Sequence, residues 1–226
     1  MLKFISKVQR SIAIKLILMV GFILVLGLGA WAYFNINYQQ RKMMQSIFGE
    51  ADRLSQSIKL GTHYAMMHNL RDDITRIVIN IAKEENLENI RIYNKNGEIK
   101  FSNTPAEVDQ MINIKAEACY ICHRSEPPLK QLSLAERTRI FSSNGGYRLL
   151  GIISPIYSEP GCSQNSCHAH PPGKKVLGAL DLVISLEKAD KEIARFETWL
   201  VGFTVFLFGG ISVAIIFFIL CCFLTH

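Results

Sequence analysis

The sequence predicts an α+β fold in which two transmembrane helices flank one exported domain made of helices and an antiparallel sheet. Three observations predict it. Two long uncharged runs, Leu16–Ile36 and Trp199–Phe223, stand near the ends of the 226-residue chain. Between them the apolar residues step first by three and four, then by two. Asn- and Gly-rich turns punctuate the two-step stretches, and two longer breaks hold four cysteines.

The first uncharged run holds 21 residues and the second 25. At about 1.5 Å rise per residue each spans roughly 30 Å or more, enough to cross a hydrocarbon core. A core helix of a soluble protein would carry a polar stripe, and these carry almost none. The first run has a second reading, a cleaved signal peptide with Ala30-Trp31-Ala32 as a loose cleavage site, although it is long for one. Either reading exports the residues that come after the run.

Charge sets the orientation. Lys3, Lys7, Arg10 and Lys15 precede the first run with no acid among them, which keeps that end in the cytoplasm. The expected layout is a cytoplasmic N-terminus at 1–15, a first span at 16–36, a periplasmic domain at 37–197 and a second span at 198–224. The protein is expected in a bacterial inner membrane, with membrane lipid as a partner. The formal net charge is +6, but the exported part holds 21 Lys and Arg against 19 Asp and Glu. The basic pI therefore reports topology, and no nucleic-acid partner is expected, since that would want a basic face on the folded domain. After the second span only Thr225-His226 remain, so no cytoplasmic output domain is expected in this chain.

Residues 38 to about 83 read as helix. Met44, Ile47, Ala51, Leu54 and Ile58 keep a helical period, as do Leu70, Ile74, Ile77 and Ile81. Gly61-Thr62 and Asn69 weaken it, so two helices with a kink or short turn near 61–71 are expected. Ile90, Ile92, Ile99 and Phe101 then alternate around Asn94-Lys95-Asn96-Gly97, a hairpin. Thr138–Ser142 and Tyr147–Tyr157 flank Ser143-Asn144-Gly145-Gly146, a second hairpin. Lys175–Leu186 is a last strand, giving about five, and Glu187–Glu197 a short helix leading into the second span. Two loops, about 103–136 and 158–174, interrupt this order; loops of that length are usually functional.

Six cysteines are present. Cys221 and Cys222 lie in the second span and read as small apolar filler. The other four fall in the two long loops. Cys119-Tyr120-Ile121-Cys122-His123 is C-x-x-C-H, the attachment pattern of c-type haem. Each thiol adds its S–H across one vinyl group on a porphyrin edge, and the adjoining imidazole binds the iron. Cys162-Ser163-Gln164-Asn165-Ser166-Cys167-His168 repeats the pattern with a longer C-x4-C-H spacing, which resembles multihaem cytochromes of sulfate reducers. Two haem c groups are therefore expected: thioethers from Cys119, Cys122, Cys162 and Cys167, and proximal iron ligands from His123 and His168. Zinc on the four thiols, or disulfides, are the rivals. Neither explains a histidine directly after each pair, and neither pair would close a useful loop.

A sixth iron ligand has few candidates. His68, His170 and His63 are the exported histidines left, with Met66, Met67 and Met111 as thioether rivals and an open gas-binding position as a further alternative. His63 and His68 are five residues apart, so one regular helix would not present both to one iron.

Ile90–Ser102, Ala116–His123, Gly151–Pro172 and Gly178–Leu186 carry a resemblance, most specifically in Ala118-Cys119-Tyr120-Ile121-Cys122-His123 and Cys167-His168-Ala169-His170-Pro171. From Lys7 to Phe223 the chain resembles the Cache-like (PAS-like) periplasmic sensor region of bacterial transmembrane histidine kinases and chemoreceptors, some of which carry c-type haem. Such receptors continue into a HAMP linker and a kinase or methyl-accepting domain, which are not expected in this chain; a truncated gene, a fragment or a sensor that works through another subunit would all fit. The resemblance implies a redox or gas sensor that works through a signalling partner. The alternative is a membrane-anchored dihaem electron-transfer protein between the quinol pool and periplasmic cytochromes. A homodimer through the long helix is a candidate assembly. No enzyme activity is expected, because no Ser/His/Asp cluster, phosphate loop or telling carboxylate pair is present.

Overall fold

The computed structural model describes residues 2–113, 115, 117–123, 132–158 and 176–224. In chain order the elements are α1 (Leu2–Met67), α2 (Arg71–Ile81), β1 (Leu87–Asn94), β2 (Ile99–Ser102), a 3-10 turn (Pro105–Glu107), α3 (Glu117–His123), α4 (Leu134–Arg137), β3 (Thr138–Ser142), β4 (Arg148–Tyr157), β5 (Val176–Ser185) and α5 (Glu187–Leu224). They fall into two units. One comprises 1–43 and 190–226, the other 44–189.

The first unit is built from the N-terminal part of α1 and most of α5. Each helix has a window long and apolar enough to cross a membrane, with almost none of it buried within the chain. Leu18, Phe22, Phe206 and Phe217 are among the side chains left outward. A helix apolar all round and not covered by protein suits lipid better than water. Within this unit Gln40 Nε2 donates to Glu197 Oε1 at 2.6 Å, tying α1 to α5.

The second unit is a five-stranded antiparallel sheet ordered β2-β1-β5-β4-β3. The expected two helices, five strands and two hairpins are all present. Gly97 and Gly146 close the hairpins at φ of 83° and 82°, where a side chain would be strained. Asn94 Oδ1 accepts from the backbone N–H groups of Asn96 and Glu98 at 2.9 and 3.1 Å, which fixes the first turn.

One face of the sheet packs on helices. Ile90 and Ile92 of β1, Leu150 and Ile152 of β4, and Leu180 and Leu182 of β5 meet Ala51, Ile58 and Ala65 of α1 and Ile74 and Val78 of α2. The α1 contacts recur every seven residues, two helical turns, so they form one stripe. Burying each Ile or Leu contributes about 1.5–3 kcal/mol.

The short turn expected near 61–71 is present, at the second of its two weak points. Gly61-Thr62 does not interrupt α1: Thr62 is buried and its hydroxyl donates to the Ile58 carbonyl at 2.8 Å. The break comes at Asn69, whose φ of 52° is left-handed, a conformation Asn tolerates. The first long loop also contains the 3-10 turn, α3 and α4. The second loop, apart from Ser158, lies outside the described residues.

Candidate functional site

The other face of the sheet has a different composition. Alternation along the strands turns Arg91 and Tyr93 of β1, Ala179, Asp181 and Val183 of β5, and Leu149, Gly151 and Ile153 of β4 away from α1 and α2. Arg139 of β3 pairs with Gly151 and so shares this second face. Tyr93, Ile99 and Ile153 form a small apolar cluster here, and Ile121 of α3 packs on it with Ile112 and Ala179.

That packing explains why seven residues inside a long loop become helical. Ala118 is buried and Ile121 comes three positions later, so one side of α3 lies against the sheet. The tertiary contact supplies what so short a helix lacks on its own.

Cys119 and Cys122 are also three positions apart, which sets their Cβ atoms about 5–6 Å from each other on one flank of a helix. Both are half-buried, and neither sulfur is in a disulfide. His123 comes next, at the exposed end of α3. Cys119, Cys122 and His123 are the residues that would hold a covalently attached porphyrin and its iron. Burial pushes the Cys119 thiol pKa up, Asp181 and Cys122 add to the rise, and Arg139 opposes it. Burial also raises the pKa of Tyr157, at the end of β4, and Cys122 adds to that rise.

Beside α3 the second face holds a buried polar cluster that sequence patterning alone does not assemble. Asp181 is 1% exposed. Tyr93 donates its hydroxyl to Asp181 Oδ2 at 3.2 Å. Arg139 Nη2 donates to the same oxygen at 3.1 Å and lies 2.9 Å from Oδ1. Burial, with Asp181 adding to it, pushes the Tyr93 pKa far up, so the phenol stays protonated. Next to it Arg91 Nε donates to Glu107 Oε2 at 2.7 Å, a carboxylate that also accepts from Ser102 Oγ at 3.1 Å. The Arg91 bond holds Glu107 below the usual carboxylate range, and the same bond raises Arg91. One signal for this cluster is present in the sequence: Asp181 is the lone charge in Val176–Ser185. A charge in a buried strand is costly unless paired.

Of the predicted site residues, the fold groups Cys119, Cys122 and His123 on α3. His63 stands on the last turns of α1, which packs on the opposite face, and His68 lies in the turn directly after that helix. His68 is exposed, with its ring 4.2 Å from that of Tyr64 and its Nδ1 3.0 Å from the Tyr64 carbonyl oxygen. Met66 packs against the helix-side core, and Met111 is exposed. Cys162, Cys167, His168 and His170 lie outside the described residues. Among the described residues no group of three or more His, Cys, Asp or Glu is placed to hold a metal ion.

The chain matches no protein-family model and no curated protein. Among solved structures it is similar to the sensor domain of the V. cholerae histidine kinase DctB, at 11% identity and a TM-score of 0.41, covering 69% of this chain and 57% of that one. It is similar to the ligand-binding domain of the Campylobacter jejuni chemoreceptor Tlp3, at 12% identity and a TM-score of 0.34, covering 70% and 61%. A sensory box/GGDEF family domain from Vibrio parahaemolyticus shares 12% identity at a TM-score of 0.36, covering 72% and 64%. The chain thus spans less than two thirds of each of these.

Proposed function

We propose that this chain is a membrane-anchored, periplasmic dihaem domain that senses redox state or a diatomic gas for a transmembrane signalling system. Spans at 16–36 and 198–224 anchor it in a bacterial inner membrane, and 37–197 is the exported part. Cys119, Cys122 and His123 hold one haem c; Cys162, Cys167 and His168 hold the other. His68, His170 and His63 are the candidates for distal ligands. A signalling partner reads the output.

One observation carries the reading: the C-x-x-C-H helix rests on the face of the sheet that holds Asp181, and Asp181 lies on the strand that leads into α5. When bound, haem iron supplies a one-electron couple and a position for a gas ligand. The rest belongs to the chain. Ile121 and Ala118 fix α3 against Tyr93 and Ile153. Asp181, through Tyr93 and Arg139, ties β5 to both neighbouring hairpins. After β5 only Leu186 precedes α5, and Glu187 N–H donates to Ser185 Oγ at 3.3 Å. A displacement of α3 therefore reaches the second span through a strand and a helix with no flexible linker between them.

The test is hydrogen exchange on the purified full chain in the oxidised and reduced states. Protection of Val176–Ser185 amides should differ between the two, and a Gly-Ser insertion within 187–197 should abolish any partner response while leaving that difference intact. Identical protection in both states, together with fast electron exchange with soluble cytochromes, would instead identify an electron carrier.

A further inference from the structure

We propose that Arg139 binds a propionate carboxylate of the haem carried by Cys119 and Cys122. The inference rests on the haem reading of α3 and assigns a partner to a side chain that reading leaves unused.

Arg139 is nearly buried, with 11% of its side chain exposed. A guanidinium offers five N–H donors. Among the described residues only Nη2 is engaged, by Asp181. Nε and Nη1 are buried and make no hydrogen bond among the described residues. Leaving buried donors of a charged group unmet costs on the order of 1–3 kcal/mol or more, so such an arrangement marks a missing acceptor.

The sheet is shaped to keep the guanidinium there. Arg139 lies over Gly151, and a Cβ at Gly151 would collide with its Cζ and stand 2.7 and 2.8 Å from Nη1 and Nε. The Phe141 ring stands under the same group, 5.3 Å from Cζ to the centroid. The arginine therefore occupies a cradle that any side chain at 151 would fill.

Charge and position identify the acceptor. The neighbouring Arg91 is taken by Glu107 in two hydrogen bonds, so among the described residues Arg139 is the cation of the cluster that keeps unmet donors. Asp181 already engages Nη2, which leaves the remaining N–H groups for one further carboxylate. α3 packs over β4, the strand carrying Gly151, on the face of the sheet that Arg139 shares. A porphyrin anchored at Cys119 and Cys122 would carry its two propionates on the edge away from the thioethers, and would present them to this face of the sheet without any further loss of translational freedom.

The test uses the full chain matured with haem, comparing wild type with Arg139→Gln, Arg139→Lys, Gly151→Ala and the pair-preserving Arg139→Gln/Asp181→Asn. Intact mass counts haems, resonance Raman reads the propionate bending bands, and potentiometry reads both midpoints. Every variant should keep its haem. Arg139→Gln should move one propionate band and lower one midpoint by about tenfold in the reduction equilibrium, about 59 mV for one electron. Arg139→Lys should keep the midpoint and still move the band, because the charge stays and the fork is lost. Gly151→Ala should move the band in the same sense by displacing the guanidinium. The double variant, which keeps a buried hydrogen-bonding pair, guards against misfolding and should move the band as well. Unchanged bands and midpoints in Arg139→Gln and the double variant overturn the proposal. So do changes that depend on Arg139 only when acetate or succinate is added, because the arginine would then be serving a free carboxylate. A wild-type mass without porphyrin overturns the haem reading itself, and this proposal with it.

Discussion

The two faces of one sheet are put to different uses. The face toward α1 and α2 is closed by aliphatic side chains, with Ile58, Ile90, Leu150, Ile152, Leu180 and Leu182 fully buried. Its buried polar groups are few and matched: Ser55 donates to Ser154 at 2.6 Å, and Arg137 bridges Ser154 and Asp52 at 2.9 and 2.6 Å. The face toward α3 places a buried aspartate, two arginines and a tyrosine where aliphatic residues would pack, and among the described residues donors of Arg139 stay unmet. A buried ion pair is weak evidence for stability, since replacing it with apolar residues is often neutral or better. The first face holds the domain together, whereas the second carries polar groups that packing alone does not explain.

The largest effect should come from half-removing the polar pair. Asp181→Leu leaves the Arg139 charge buried without its partner, and urea denaturation should show a loss of about 3–5 kcal/mol. On the other face, Leu180→Ala should cost about 2–5 kcal/mol through lost burial and a cavity, with the haem spectrum unchanged. Removing the Arg91–Glu107 pair by Glu107→Gln is smaller, up to about 1 kcal/mol, because both side chains are partly exposed. Its sign with pH is defined. The folded pKa of Glu107 lies below the ordinary 4.5, so its contribution is complete above that value and is lost as pH falls through the folded one. Acid titration of the melting temperature should be flatter in this variant below pH 4.5. Smallest of all for the fold should be Arg139→Met/Asp181→Leu, which removes both charges and should leave stability near wild type. If it costs as much as Asp181→Leu alone, the two faces do not differ in the way described.

Much of the helix-side architecture was legible in sequence, because periodicity reports which side of an element is buried. Ala51 and Ile58 announced α1's stripe, and the alternation of Ile90, Ile92, Ile99 and Phe101 announced β1 and β2. The turn at Asn94–Gly97 was legible from residues that tolerate a positive φ. α3 was not, since a seven-residue helix owes its existence to Ile121 meeting Tyr93 and Ile153. The thiols of α3 were visible as a motif, but their resting place beside Asp181 was not. Asp181 was visible as an odd charge, yet its partners depend on strand order. Only when β5 sits between β1 and β4 do Tyr93 and Arg139, 88 and 42 residues away in sequence, converge on it. Of the two weak points, Gly61-Thr62 and Asn69, it is Asn69 that breaks the helix, because packing at Thr62 overrides a weak local preference.

Whether this chain is a dihaem protein at all is decided by counting covalent porphyrin. The full chain, made alongside cytochrome c maturation machinery, would be denatured, extracted with acid acetone, and read by intact mass and a pyridine haemochrome spectrum. Two haems should be retained per chain, with one fewer in Cys119→Ala/Cys122→Ala and one fewer in Cys162→Ala/Cys167→Ala. A bare polypeptide mass, or porphyrin that leaves with the solvent, would contradict the dihaem assignment.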